Sequence, residues 1–278
     1  MKKLMLGPVE VDSGAKAPAR MCILMWGAAG TGKTTFAATA PGNKLWLSFG
    51  DQEHVSVMHR KDVLVANLSE LHYEELFKHA QSENPFGLDQ VLAQHTDIQT
   101  VVADSLTALT FAALQKAVGD KVGGSRTFTP TMETPGISAY GGRNAIVMEC
   151  VKGLMRVTSK HGVHLIMIAH EDDPVVDKEG IVQHISVMLG GKLVNNMTFR
   201  LSEIWWMSQD VTGDKKRRLA VNPTRKRRPI KTRMFSHRGQ PEFELKYDAD
   251  RPDKGQMTIA SWYDLWEKGG MQKLEVPK

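Results

Sequence analysis

Apolar residues along this chain fall into short runs, each closed by a polar or glycine-rich stretch. Met21-Cys-Ile-Leu-Met-Trp26, Lys44-Leu-Trp-Leu-Ser-Phe49, Val63-Leu-Val-Ala-Asn67, Thr100-Val-Val-Ala-Asp104 and Val163-His-Leu-Ile-Met-Ile-Ala169 read as buried strands. Between them, the spacing of apolar positions predicts helices over about 34–40, 71–80, 88–94, 106–118 and 144–160. Residues 119–142 are dense in Gly, Ser, Thr and Pro and are expected to form one long loop. A hairpin is expected within 171–189 around Asp177-Lys-Glu-Gly180, and a short helix after Gly190-Gly-Lys192. Three late strands, antiparallel in arrangement, are expected at 202–207, 218–222 and 230–235. Residues 1–20 lack a clear period, and the tail from about 251 is polar apart from the amphipathic piece 259–266.

Strands alternating with helices imply an α/β fold: a mostly parallel sheet covered by helices on both faces, with the late strands added antiparallel. The pattern divides the chain into an N-terminal arm (1–20), a core (21–235) and a C-terminal extension (236–278). Ligands of such sheets bind at the carboxyl ends of the strands, which directs attention to the polar residues that close the apolar runs.

The strongest chemical signal follows the first strand. Gly27-Ala28-Ala29-Gly30-Thr31-Gly32-Lys33-Thr34-Thr35 fits the P-loop pattern G-x-x-x-x-G-K-[ST]. Its glycines allow a tight turn that aims backbone N–H groups at phosphate oxygens. Lys33 is placed to reach the β- and γ-phosphates, and Thr34 to ligate Mg²⁺. The strand before it and the helix after it are the context this motif requires. A nucleotide with Mg²⁺, most simply ATP, is the expected ligand.

Three other strand ends carry candidate chemistry. Asp104 closes its run where a P-loop enzyme holds Mg²⁺ through water, and it also precedes a helix as an N-cap would. Glu53, in Phe49-Gly-Asp-Gln-Glu-His54, is placed to activate the water that attacks the γ-phosphate, with Asp51 competing for that role. His170 closes Val163–Ala169 and is either a γ-phosphate sensor or a strand-end histidine without function; with Glu171, Asp172 and Asp173 it offers a weaker metal-site alternative.

Charge changes the picture further. The net charge is +5, yet residues 215–233 alone contain ten Lys/Arg and no acid, so the rest of the chain is net acidic. A single concentrated basic segment, with Arg225, Lys226, Arg227 and Arg228 at its centre, points to a polyanion partner; the alternative is a solvated basic hairpin. Cys22 and Cys150 are far apart in sequence and read as buried apolar residues. No apolar run is long enough to span a bilayer and the start lacks a signal-peptide core, so a cytoplasmic protein without a membrane partner is expected.

Taken in order, these motifs resemble the RecA/RadA superfamily of recombination ATPases, and within it the short phage and prophage members linked to single-strand annealing. Asp51-Gln-Glu-His54 is similar to the Asp-Ala-Glu-His of RecA, and Asp104-Ser-Leu-Thr-Ala-Leu109 to its Walker B extension. Gly190-Gly-Lys-Leu-Val-Asn195, Arg200-Leu-Ser and Lys231-Thr-Arg233 resemble later family motifs. The resemblance covers roughly 21–235. It implies a RecA-like P-loop core, Glu53 as catalytic carboxylate, and His170 in the place of the glutamine that couples ATP to DNA. It also implies Lys231 and Arg233 reaching the γ-phosphate of a neighbouring subunit. Residues 119–142 fall at the family's first DNA-binding loop; Arg126, Phe128, Tyr140, Arg143 and Lys192, with the basic segment 225–228, are then the candidate DNA contacts. The implied partners are single-stranded DNA, further copies of the chain assembled on DNA with ATP, and a single-strand-binding protein; the implied location is the cytoplasm, that of the host if the gene is phage-encoded. The short arm, the histidine at 170 and the acidic start of the second-loop region depart from the family pattern. Two other functions compete: an ATPase of this fold that remodels or signals to a protein partner, and a small-molecule kinase.

Overall fold

In the computed structural model, residues 4–6, 9–11, 20–125, 128–190, 192–210, 216–236, 240–246 and 257–277 are described. In chain order the first elements are β1 (Leu4–Leu6), β2 (Val9–Val11), β3 (Cys22–Gly27), α1 (Lys33–Ala37), β4 (Asn43–Ser48), β5 (Val63–Asn67), α2 (Tyr73–Ala80), α3 (Leu88–Gln94), β6 (Ile98–Asp104) and α4 (Leu106–Gly119). They are followed by α5 (Gly136–Lys160), β7 (His164–His170), β8 (Val175–Val176), β9 (Val182–His184), α6 (Lys192–Thr198), β10 (Glu203–Gln209), β11 (Arg217–Ala220), β12 (Glu242–Glu244) and α7 (Ile259–Lys268).

Eight strands form the central sheet in the order β12-β11-β10-β3-β7-β6-β4-β5. Every pairing from β10 through to β5 is parallel, while β10/β11 and β11/β12 are antiparallel. The expected α/β class, mostly parallel with antiparallel late strands, is what the chain adopts. The alternation within β3 shows why: Cys22, Leu24 and Trp26 enter the core on one face, Ile23 and Met25 the core on the other. A strand buried on both faces needs helices on both, and α2 to α6 cover one face while α1 and α7 cover the other.

Within the segment expected as an extension, Phe243, Leu245, Ile259 and Trp262 join the core of the second face. Trp262 of α7 lies edge-on to Phe36, Trp205, Phe235 and Phe243, with ring centroids 5.1 to 6.0 Å away. The helix is entered through a capping box between Thr258 and Ser261. Both cysteines are buried and free, as expected, and burial pushes each thiol up to about 12. No described helix is long and apolar enough to cross a membrane.

Two local expectations are corrected. The long loop ends at Pro135, not at Gly142, because α5 begins at Gly136. Gly141 and Gly142 suggest loop by propensity, but a Cβ at Gly142 would lie 3.2 Å from Val122 and 3.4 Å from Ala117, so the small residue lets α5 pack closely there. Tyr140 and Arg143 are therefore helical. The strand expected at 230–235 is not one. Lys231 bridges Ile204 and Phe235 bridges Leu274, with bends at 233–234 between them.

Candidate functional site

β3 lies between β10 and β7, and β7 separates it from β6, so the carboxyl ends of β3, β7, β6 and β4 open on one edge of the sheet. Register aligns them: Gly27 pairs with His170, and Ser48 with Asp104. The P-loop leaves β3 at Gly27, where β10 passes so closely that a Cβ would lie 2.0 Å from the Met207 carbonyl oxygen. Ala28, Ala29 and Gly30 form the exposed arch, and the Thr31 hydroxyl donates to Ala28 O at 2.9 Å. Gly32 turns into α1 with φ 87°, a conformation that favours glycine. Thr34 and Thr35 follow in the first turn.

Lys33 folds back into the arch, its ammonium donating to Gly27 O at 2.9 Å and Ala28 O at 2.7 Å. Burial lowers its pKa to about 8, against the opposing pull of Asp104, Glu171 and Glu53. The Thr34 hydroxyl donates to Asp104 Oδ2 at 3.0 Å. Asp104 is 2% exposed, and burial together with the nearby Glu53 charge pushes its pKa up to about 7. The Asp104–Ser105 peptide is cis. A cation beside Thr34 would relieve the desolvated Asp104 carboxylate, so the donor set fits Mg²⁺. Among the described residues no three His, Cys, Asp or Glu side chains gather to hold a metal by themselves, and His170 with the acids after it makes no such group. A cation here would take further ligands from phosphate and water.

Glu53 is held from two sides: Ser105 Oγ donates to Oε1 at 2.8 Å and the Gly50 N–H to Oε2 at 3.0 Å. Its pKa is raised by burial, with those hydrogen bonds and Lys33 working the other way. Asp51, its competitor, is exposed. The His170 N–H donates to Thr107 Oγ1 at 2.8 Å, and burial followed by the Lys33 charge lowers the imidazole pKa. The structure therefore gathers P-loop, Asp104, Glu53 and His170 at one sheet edge.

Lys231 and Arg233 are not brought to a common face. Period-2 alternation would place them together, but the segment is bent around Glu203 instead. This carboxylate, 2% exposed, accepts from Thr232 Oγ1 at 2.6 Å, Trp205 Nε1 at 2.9 Å, Arg233 N at 2.8 Å and Met234 N at 3.0 Å. Lys231 turns inward, donating to Thr198 O and Leu201 O at the end of α6, while Arg233 is exposed.

The expected DNA contacts are dispersed. Phe128 packs beside Gly136 at the start of α5 and is 39% exposed. Arg143 sits 5.0 Å from the Tyr140 ring centroid, bonds Asn144 Oδ1 and reaches over Gly190. Lys192 is exposed at the start of α6. Arg225, Lys226 and Arg228 are exposed, whereas Arg227 pairs with Glu242 and stacks over Trp206 at 3.9 Å. Arg126 lies outside the described residues.

Two features were not read from the sequence. The Arg217 side chain, at the start of β11, lies against the P-loop: a Cβ at Gly32 would be 2.7 Å from its Nε. Glu171, next to His170, links strands around the site, its N–H donating to Gly27 O at 3.1 Å and its Oε2 accepting from Trp206 Nε1 at 2.7 Å. The signal available for both was only that charged residues close or open strands at this edge.

A parallel sheet with this strand order, a P-loop after β3 and a Thr34–Asp104 pair beside it defines a P-loop ATPase. Comparison with known families gives the same class: residues 19–233 match the model of the AAA domain (AAA_24), and the chain belongs to that family. A search of curated proteins gave no match.

Proposed function

We propose that this ATPase binds single-stranded DNA and that DNA binding and ATP turnover are linked, as the likeness to RecA/RadA recombination and annealing ATPases suggests. ATP is the substrate. Lys33 and the loop amides hold its phosphates, Glu53 positions and deprotonates the attacking water, and His170 faces the same space from β7. Thr34 and Asp104 would hold Mg²⁺, which would supply charge neutralisation at the phosphates. Arg217 adds a cation of the same chain beside Gly32, and Arg233 reaches a neighbouring copy in an assembly formed on DNA. Alanine at Arg217 is expected to weaken binding of a fluorescent ADP analogue about 5- to 10-fold, since a hydrogen bond to a charged group contributes about 1.5–3 kcal/mol and this one is partly solvated. Unchanged affinity and turnover in that variant would take Arg217 out of the site.

The observation that carries the DNA part is the chain of packed groups between the nucleotide edge and the basic segment. Glu171 is bonded to Gly27 of the P-loop and to the Trp206 indole, and Arg227 stacks on that indole. Arg225, Lys226 and Arg228 stand exposed around Arg227. A polyanion on this segment and a nucleotide at the P-loop would thus act on one set of packed groups. The reading is tested by ATPase turnover with and without single-stranded DNA. Stimulation supports it; turnover indifferent to DNA favours a protein partner, and phosphate transfer to a metabolite favours a kinase. Neutralising Arg225, Lys226 and Arg228 together is expected to weaken binding of oligo(dT) and to reduce its log–log salt slope by about 0.7 for each phosphate no longer neutralised. An unchanged slope would mean that these side chains do not touch the phosphates.

A further inference from the structure

We propose that a groove along α5, separate from the basic segment at 225–228, is a binding track for single-stranded DNA; this rests on the DNA-binding reading above and assigns it a surface. Two hollows of about 830 Å³ and about 440 Å³ adjoin at Lys152 and Arg200, which line both. Their α5 side runs from Gly141 to Lys160 at helical spacing, a length of about 28 Å at 1.5 Å per residue. Lys192 and Asn196 of α6, Phe199 and Arg200 just after it, and Arg20 form the other side.

Among the described residues, no carboxylate lines either hollow. Of the cations that do, Arg156 pairs with Glu83 and Lys160 with Asp89. Arg20, Lys152, Lys192 and Arg200 form no ion pair among the described residues. Four such cations along one concave strip concentrate positive potential, and a chain of phosphates is the ligand that meets several of them at once. Phe199 separates a phosphate chain from a plain acidic ligand. It stands 84% exposed beside Arg200, at the end of α6, on the wall of the larger hollow. An aromatic face next to a cationic track fits the stacking of an unpaired base, and a base inside a duplex cannot reach it. The groove is also open and long, unlike a pocket for a small phosphorylated metabolite.

The test uses the full chain and fluorescein-labelled oligo(dT), with anisotropy read at several salt concentrations. Circular dichroism and basal ATPase check that each variant is folded; none of the altered residues belongs to the nucleotide site. With Lys152→Glu and Arg200→Glu together, affinity is expected to fall at least about 10-fold and the salt slope by about 1.4, two phosphates at about 0.7 each. The milder pair Lys152→Gln and Arg200→Gln replaces it if charge reversal unfolds the chain. Phe199→Ala is expected to weaken binding about 5-fold or more with the slope unchanged, as loss of stacking without loss of charge requires. If the wild type binds oligo(dT) but the Lys152/Arg200 variants keep its affinity and slope, the groove assignment is overturned while the DNA reading stands. If the wild type does not bind even at low salt, both fall. If the variants leave DNA binding intact but change the sedimentation of the protein, the groove seats a second copy of the chain and not DNA.

Discussion

Replacing Lys33 by alanine is expected to lower ATP turnover by about 100-fold or more while leaving the fold intact. The lysine ammonium is buried and satisfied by two neutral acceptors, Gly27 O and Ala28 O. A phosphate oxygen carries the opposite charge, which a carbonyl oxygen does not, so in a water-poor site the ammonium gains by exchanging one partner for the other. Removing a fixed positive charge from a water-poor site where negative charge develops costs on the order of 10²–10³ in rate. A second consequence follows from its lowered pKa of about 8. The group must be protonated to attract phosphate, so in the wild type affinity for ATP should decline as pH rises through about 8, and the alanine variant should lack that limb. Bound phosphate raises the pKa, which makes the decline a property of binding more than of saturated turnover. Steady-state ATPase and titration with a fluorescent nucleotide at pH 7 and 9 measure both. Turnover within threefold of wild type in the Lys33 variant would remove this residue from the chemistry.

The parts of the site that were legible in the sequence are those whose chemistry demands contiguous residues. A phosphate cradle needs Gly27 to Thr34 at fixed spacing, because successive amides must converge on one anion. Asp104 was legible because it closes an apolar strand after such a loop. Glu53 was only one of two acids until the resemblance favoured it, and the structure separates them by holding Glu53 on Ser105 and Gly50 and leaving Asp51 exposed. Arg217 against Gly32 was not legible, since it depends on which strand lies beside β10 and in what register. Nor was Glu203, which takes three of its four donors from Thr232, Arg233 and Met234 and so bends 230–235 away from strand geometry: the alternating pattern there serves a buried carboxylate in place of a ladder. The first turns of α5 were concealed by Gly141 and Gly142, whose helix propensity is low, and close packing against Val122 and Ala117 accounts for the second of them. The cations of the groove along α5 are divided in sequence between Arg20 ahead of β3, α5 itself, and α6 with Arg200 just after it, so no window of the chain displayed its charge.

Glu53→Gln is expected to keep nucleotide affinity within about threefold of wild type and to lower turnover by about 10² to 10⁴, the range for removal of a general base. The amide matches the carboxylate in size and can still accept from Ser105 Oγ or the Gly50 N–H, so position is largely retained while basicity is lost. The pH profile distinguishes a base from a merely structural acid. Burial raises the Glu53 pKa above the ordinary carboxylate value of 4.5, so the wild-type rate should rise with pH along a limb displaced upward from that value, as the carboxyl loses its proton. The glutamine variant cannot titrate there, and its residual rate should be flat over the same range. Asp104 is also displaced upward, to about 7, and would add an acid limb of its own by weakening Mg²⁺ binding when protonated. Saturating Mg²⁺ holds Asp104 ionised, so the profile at high Mg²⁺ isolates Glu53. Asp51→Asn under the same conditions should turn over within about twofold of wild type. If Asp51→Asn loses the acid limb and Glu53→Gln keeps both limb and rate, the base is Asp51 and the hydrogen bonds that hold Glu53 serve only to fix the loop after β4.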